Sequence, residues 1–302
     1  MLTQIRWRCR VAMHKAPKVP MPLASTFAPS QHRNVNGGAE PCHDDLNRLN
    51  HFEVTSHRIS FMNLHHLLQA RHAAGKPVRV VLIGAGKFGS MFLAQVPHAP
   101  GLEVITIVDP KRASEDCRTV GWERALVDAT TFTTDGMAAI KGSTVEVVIE
   151  ATGNPAVGIR HARAAIAAGK HIVMVNVEAD VLAGPLLAEE ARAAGVVYSL
   201  AYGDQPALTA EMVDWARATG FNVVAAGKGT KYLPVYHDVT PKDVWQHYGL
   251  TAAEAQSAGM NPQMFNSFLD GTKSAIEMAA IANATGLDIP EAGLKFPPCG
   301  VD

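Results

Sequence analysis

No stretch of this chain approaches the ~18 consecutive apolar residues that a bilayer-spanning helix needs, so a membrane-embedded protein is not expected. Charge of either sign is scarce as well. With 27 Lys and Arg against 28 Asp and Glu, the formal net charge is −1. A nucleic-acid or anionic-membrane partner would call for a basic surplus that is missing. The four cysteines, Cys9, Cys42, Cys117 and Cys299, are scattered without a C-x-x-C pair. That excludes a disulfide framework and a zinc site of ordinary spacing, and it suits a reducing cytoplasm. No His, Cys or carboxylate cluster has metal-ligand spacing, so no metal is expected. No G-x-S-x-G elbow occurs either.

What is present is apolar and orderly. Hydrophobic residues make up 47% of the 302 and charged residues 18%, enough for a large core. At ~100–200 residues per domain, two domains are expected. Residues 1–61 stand apart: Arg6, Arg8, Arg10, Lys15 and Lys18 precede the first acid, Glu40, and no periodicity is sustained. We read them as a disordered extension upstream of a start at Met62. An organellar transit peptide is the alternative, since no secretory h-region is present.

From Met62 onward, short Val- and Ile-rich runs alternate with helical segments. Expected strands are Val78–Ile83, Leu102–Val108, Val145–Ile149, His171–Val177, Val196–Leu200 and Asn222–Ala226. Their nearly continuous apolar content suits parallel strands buried on both faces. Asn154-Pro155 opens a helix that Gly169 closes, Pro185 opens another that Gly195 closes, and Leu208, Met212, Trp215 and Thr219 line one face of a third ended by Gly220. This rhythm means α/β, a doubly wound Rossmann sheet over residues 62–205. Residues 206–302 read as part of a second, α+β domain carrying the substrate site, incomplete at its C-terminus. There Thr240-Pro241 starts a helix, Thr251-x-x-Glu254 forms a capping box, and Asn261-Pro262 starts a long helix ending near Gly286.

The strand Val78–Ile83 runs into Gly84-Ala85-Gly86-Lys87-Phe88-Gly89, a G-x-G-x-x-G turn opening a helix. Gly84 permits the bend, Gly86 lets a pyrophosphate approach the backbone, and Gly89 lets the helix lie on the sheet. Lys87 and Phe88 fall on the helix N-terminus, where N–H groups would hold the diphosphate. The second strand ends in Asp109, at the offset of an acid that accepts from a ribose 2′-hydroxyl and favours NAD(H). Lys111 and Arg112 follow at once and suit the 2′-phosphate of NADP(H), so both cofactors stay open. Thr152, Gly153 and Asn154, after the strand expected at 145–149, fall where a nicotinamide ribose would lie, although Asn154 also suits a helix N-cap.

Two clusters are candidates for the chemistry. Gly227-Lys228-Gly229-Thr230-Lys231 follows the last expected strand, its lysines suited to an anionic or phosphorylated substrate. On the long helix, Asn266, Asp270, Lys273 and Glu277 are spaced four, three and four, one stripe on an otherwise apolar surface. Glu178 and Asp180 follow the fifth strand. Asp204 follows the sixth, where it also suits an N-cap, and His237 beside Asp238 could serve acid–base chemistry.

Gly84-Ala-Gly-Lys-Phe-Gly, Glu150-Ala-Thr-Gly-Asn-Pro and Met174-Val-Asn-Val-Glu-Ala-Asp resemble the homoserine dehydrogenase type of NAD-binding domain. With Tyr202-Gly-Asp-Gln-Pro, Ala226-Gly-Lys-Gly and Leu269-Asp-Gly-Thr-Lys-Ser-Ala-Ile-Glu-Met-Ala, the set is similar to the deoxyxylulose-5-phosphate reductoisomerase-like oxidoreductases, relatives of a streptomycin-biosynthesis oxidoreductase. The resemblance runs from about Met62 to Asp302. It implies homodimers acting on small polar, often phosphorylated, substrates with NADP(H) in preference to NAD(H), and a further C-terminal region. It assigns Lys228 to substrate binding and places Asp270 and Lys273 near the reacting oxygen. Lys231, Glu178, Glu277 and Asp204 complete the expected substrate pocket. Val177-Glu178 stands where homoserine dehydrogenases place a lysine, which argues against homoserine. Thr230-Lys231-Tyr232-Leu233 departs from the reductoisomerase loop, which argues against isoprenoid synthesis. A dinucleotide-sensing regulator and a truncated inactive homologue are the alternatives to an enzyme.

Overall fold

The computed structural model describes residues 13–14, 64–109, 113–230 and 232–293. A two-residue strand β1 (Met13–His14) is the first described element. The other residues of the expected disordered extension, and Met62 itself, lie outside the described residues.

Helix α1 (Leu64–Ala73) ends at Gly75, whose φ of +64° suits the C′ position. Then follow β2 (Val78–Ile83), α2 (Lys87–Gln95), β3 (Leu102–Val108), α3 (Ala113–Thr119), α4 (Arg124–Ala129), β4 (Thr131–Thr133), α5 (Gly136–Ile140), β5 (Val147–Glu150), α6 (Pro155–Ala167), β6 (His171–Met174), α7 (Val177–Ala193) and β7 (Tyr198–Leu200). The six strands β2 to β7 form one parallel sheet in the order β4-β3-β2-β5-β6-β7. This is the doubly wound Rossmann-like topology, with its switch point between β2 and β5. Val80, Val81, Leu82, Val148 and Ile172 are almost wholly buried, as strands covered on both faces require. Val81, Ile83, Val148, Ile172 and Leu187 pack on one side of the sheet, and Val80, Leu82, Leu93, Ile107 and Trp122 on the other.

Strand β4 has no counterpart in the expected set. Three residues, two of them threonine, are too short to display a period. Strand β6 is shorter than expected, because Asn176 accepts the amide of Ala179 and starts α7 at Val177. Pro185 was expected to open that helix and instead lies inside it. A proline strips the carbonyl four residues earlier of its N–H partner. Here that carbonyl belongs to Val181, and Asn283 Nδ2 donates to it at 3.1 Å. Gly184, with no Cβ, relieves the clash that a proline imposes on the residue before it. The helix is continuous because a distant residue repairs it.

Beyond the sheet come α8 (Gln205–Ala218), β8 (Asn222–Val223), α9 (Val244–Tyr248), α10 (Ala252–Ser257), α11 (Pro262–Leu269) and α12 (Thr272–Thr285). In place of the expected α+β character, the described residues here are helices and β8, which pairs antiparallel with β1. Strand β8 stops at Val223 instead of Ala226. The apolar face of α8 read from the sequence is turned outward: Trp215 is 59% exposed, while Thr209, Val213 and Ala216 are buried. Thr240-Pro241 forms a turn, with Asp243 accepting from Thr240, and α9 starts at Val244. The Thr251–Glu254 capping box is formed as expected. The long helix expected from Pro262 is broken in two at Gly271, where φ is +89°. Helix α12 packs across α7 and α8, and Arg217 donates to its Thr285 carbonyl. A separate aromatic cluster, Tyr236, Trp245 and Phe265, holds α9 and α11 together.

Candidate functional site

Parallel strands deliver their carboxyl ends to one edge of a sheet, and the loops there form the crevice. The glycine-rich turn lies at that edge. Gly84 has φ +99°, and a Cβ on it would lie 2.6 Å from the Ala151 carbonyl oxygen, so the turn presses directly on the chain leaving β5. A Cβ on Gly89 would lie 2.3 Å from the Gly84 carbonyl oxygen, which is how closely α2 crosses the turn. At Gly86 a Cβ would meet no protein atom within 4 Å. Gly86 is the N-cap of α2 without a side-chain cap bond, and the first-turn residues Lys87 and Phe88 are exposed. The first amides of a helix have no intrahelical partner, so this bare N-terminus beside an uncrowded glycine fits a diphosphate.

Asp109 ends the neighbouring strand, and its Oδ2 accepts the Ala85 amide at 2.8 Å. The acid expected to read the ribose therefore also holds the turn. Lys111 and Arg112 lie outside the described residues. Thr152, Gly153 and Asn154 are exposed beside the turn. Asn154 Oδ1 accepts the Val157 amide at 3.1 Å, so its helix-capping role is formed. Thr152 Oγ1 donates to Glu150 Oε1 at 2.6 Å.

Further along the same edge, toward β6 and β7, four of the expected substrate residues converge from three segments. Lys228, from the loop after β8, forms a buried ion pair with Glu277 of α12; their side chains are 10% and 4% exposed. Lys273 Nζ lies 3.7 Å from Glu178 Oε1 on the first turn of α7. Burial pulls the Lys228 ammonium below its usual value, Lys273 adds to the fall, and Asp204 opposes it. Taking both charges of this pair out of water is costly, and their mutual contact offsets that cost. Asp204 also caps α8, accepting the Gln205 amide at 2.9 Å.

Asp270 holds a helix junction, three residues before Lys273. Its Oδ2 accepts from Asn266 at 2.9 Å and its Oδ1 accepts the Thr272 amide at 2.8 Å, joining the two helices at the Gly271 break. The break interrupts the stripe, leaving Asn266 and Asp270 on the junction while Lys273 and Glu277 face α7 and Lys228. Lys231 lies outside the described residues, and His237 is exposed on a 3₁₀ turn.

Two clefts open elsewhere among the described residues. One of about 370 Å³, between α7, β7, α8 and α12, is lined by Asp180, Tyr198, Tyr202 and Asn283. Burial raises Asp180 above the usual carboxylate range, against the 2.8 Å bond that Tyr198 donates to it. The larger, about 1050 Å³, is a groove between α6 and the C-terminal half of α7 lined by His161, Arg163 and Glu190, away from the strand ends where the chemistry is expected. Sequence reading placed Glu150 in a motif but gave it no role. Its signal was a lone acid closing an apolar central strand, directly before a glycine turn.

Compared with known families, residues 78–176 match the model described as oxidoreductase family, NAD-binding Rossmann fold. Residues 203–302 match the model described as oxidoreductase DRL, catalytic domain. Each match covers less than half of the chain. Among curated proteins no match was found. Solved structures that match include an NAD-binding oxidoreductase from Klebsiella pneumoniae, 23% identical over 48% of this chain and 39% of that one, with TM-score 0.35. Another is the biliverdin reductase of Synechocystis sp. PCC 6803, in complex with biliverdin and NADP+, 21% identical over 47% and 42%, with TM-score 0.36. A third is the homoserine dehydrogenase of S. aureus, 16% identical over 41% and 32%, with TM-score 0.34. The chain thus spans about two fifths of the length of the first solved structures it matches. Likenesses this distant bear on no detail of the site.

Proposed function

We propose that the chain is an NAD(P)-dependent oxidoreductase exchanging hydride with a carbonyl or hydroxyl carbon of a small polar substrate, with residues 62–205 as its dinucleotide domain and 206–302 as its substrate domain. The observation that carries this reading is the meeting of Lys228, Glu277, Lys273 and Glu178 at the same sheet edge as a glycine turn fitted to a diphosphate. When bound, the nicotinamide supplies a hydride acceptor or donor. Gly84, Gly86, Gly89 and the α2 amides would hold the diphosphate, with Thr152 and Gly153 beside the nicotinamide ribose.

The protein's part in the chemistry is the proton. As a substrate hydroxyl is oxidised, its carbon gives up hydride and its oxygen gives up H⁺; reduction reverses both. Lys228, whose burial favours the neutral amine, accepts or returns that proton, and Glu277 faces the ammonium so formed. Lys273, held by Glu178, hydrogen-bonds the reacting oxygen. Asp270 supports Lys273 through the helix junction without contacting substrate. Lys228 and Lys273 each already face a carboxylate, which favours hydroxyl-bearing substrates over phosphorylated ones within the proposed class. Homodimerisation and a cytoplasmic location belong to the same proposal; the exposed Leu208, Met212 and Trp215 of α8 support a covered face.

The test is direct. Fluorescence titration with NADH and NADPH should show saturable binding, and a panel of polyols, hydroxy acids and aldehydes should yield turnover that K228A and K273A each reduce at least a hundredfold. Cofactor binding without turnover, and with biological output unaltered in those variants, would favour a dinucleotide sensor.

A further inference from the structure

Glu150 is a buried acid with no part in the proton chemistry above. It ends β5 with no exposed surface, in register between Ile83 of β2 and Met174 of β6. A carboxyl at the centre of a parallel sheet costs stability unless its oxygens are hydrogen-bonded. One oxygen is well served. Oε1 accepts from Thr152 Oγ1 at 2.6 Å and from the Thr152 amide at 3.3 Å, with His161 Nδ1 at 3.4 Å. The other is not: Oε2 meets no hydrogen-bond partner among the described residues, and neither does the buried Nδ2 of Asn176.

These two orphan atoms border the same backbone. A Cβ on Gly158 would lie 2.8 Å from Asn176 Nδ2 and 3.0 Å from Glu150 Oε2. Asn176 in turn caps α7 through its Oδ1, and Glu178, two residues on, faces Lys273. Glu150 therefore lies between the Thr152 loop, which presses on Gly84, and the helix start that presents Glu178. An apolar residue would satisfy the strand better. What the carboxylate adds is a double hold on Thr152.

We propose that Glu150 is a positioning residue for the nicotinamide end of the cofactor site: it fixes Thr152, and with it the 151–154 loop, against the glycine turn. This rests on the reading that the strand ends carry a dinucleotide. It concerns a residue that touches neither cofactor nor substrate and acts through Thr152. Removing the Thr152 hydroxyl should therefore do the same harm as removing the carboxylate, and removing both should do little more.

The experiment is NADH and NADPH titration of the full chain as wild type, E150A, E150Q, T152V, T152S and the E150A/T152V double variant, alongside melting temperatures. Loss of a hydrogen bond to a charged group is expected to weaken cofactor binding on the order of tenfold in E150A and in T152V. The double variant should match the singles instead of multiplying them, a coupling that general loosening of the fold would not produce. E150Q and T152S, which keep acceptor and donor, should bind within about threefold of wild type, by the same hydrogen-bond argument. If E150A does not fold, the exposed T152V decides. Wild-type affinity in T152V overturns the proposal while leaving the dinucleotide reading intact; absence of binding by the wild type overturns the reading beneath it.

Discussion

Breaking the Lys228–Glu277 pair from one side tests the centre of the proposed site. Both side chains are almost fully enclosed, at 10% and 4% exposure. In K228M the Glu277 carboxylate stays buried with its nearest cation gone. Removal of one partner from a buried pair costs about 3–5 kcal/mol, because the survivor must pay desolvation alone or take up a proton. At roughly 2–4 °C per kcal/mol for a domain of this size, Tm should fall by about 6–20 °C. E277Q should cost less, since the freed Lys228 can shed its proton, a change that burial and Lys273 already favour. The double variant K228M/E277Q should recover most of the loss. Urea denaturation at neutral pH, read as a double-mutant cycle, gives the coupling. Titration adds a second reading. Because the Lys228 pKa is lowered on folding, the unfolded chain binds more protons between the folded and unfolded values, so wild-type stability rises with pH across that window. K228M should flatten this rise. Additive losses below about 1 kcal/mol would mean the pair is no better than a surface contact, and the reasoning would fail.

Gly86→Ala should leave stability unchanged or raised by about 0.4–1 kcal/mol, since its φ of −65° suits alanine and no protein atom crowds the new methyl. It should nonetheless weaken NAD(P)H binding; equal affinity in a fluorescence titration would place the diphosphate elsewhere. Gly84→Ala, at φ +99° with the Ala151 carbonyl in the way, should instead lose stability by about 2–3 kcal/mol in chemical denaturation, and a neutral result would contradict the close approach. Asp180 carries a raised pKa from burial, so its contribution is full below the usual carboxylate value and is lost as pH rises through the folded one. Asp180→Asn keeps an acceptor for Tyr198 and should melt above wild type near pH 8 but not near pH 4; parallel curves would refute this. Thr251→Ala removes the capping box and should cost about 1 kcal/mol by urea titration; no loss would mean the box is not formed in solution.

Local physics explains what could be read before any fold was known. The G-x-G-x-x-G turn, the Asn154-Pro155 start, the Thr251–Glu254 box and the buried valine-rich strands each depend on neighbours within a few residues. The misreadings share the opposite cause. Pro185 signals a helix start by its own chemistry, and only Asn283, about a hundred positions later, supplies the donor that lets the helix run through it. Gly271 interrupts a pattern whose spacing favoured one helix, because α12 must turn to lie across α7 and α8. The outward face of α8 carries the larger apolar groups, while the smaller Thr209, Val213 and Ala216 are the ones buried.

The candidate site divides along the same line. Strand ends nominated Lys228 and Glu178, and a polar stripe on an otherwise apolar helix nominated Lys273 and Glu277. Which lysine meets which acid, the burial that loosens the Lys228 proton, the place of Asp270 at a helix junction and the seat of Glu150 beneath Thr152 were settled by tertiary packing. Secondary structure is written in contacts a few residues long; ion pairs and desolvation arise between segments that only folding brings together.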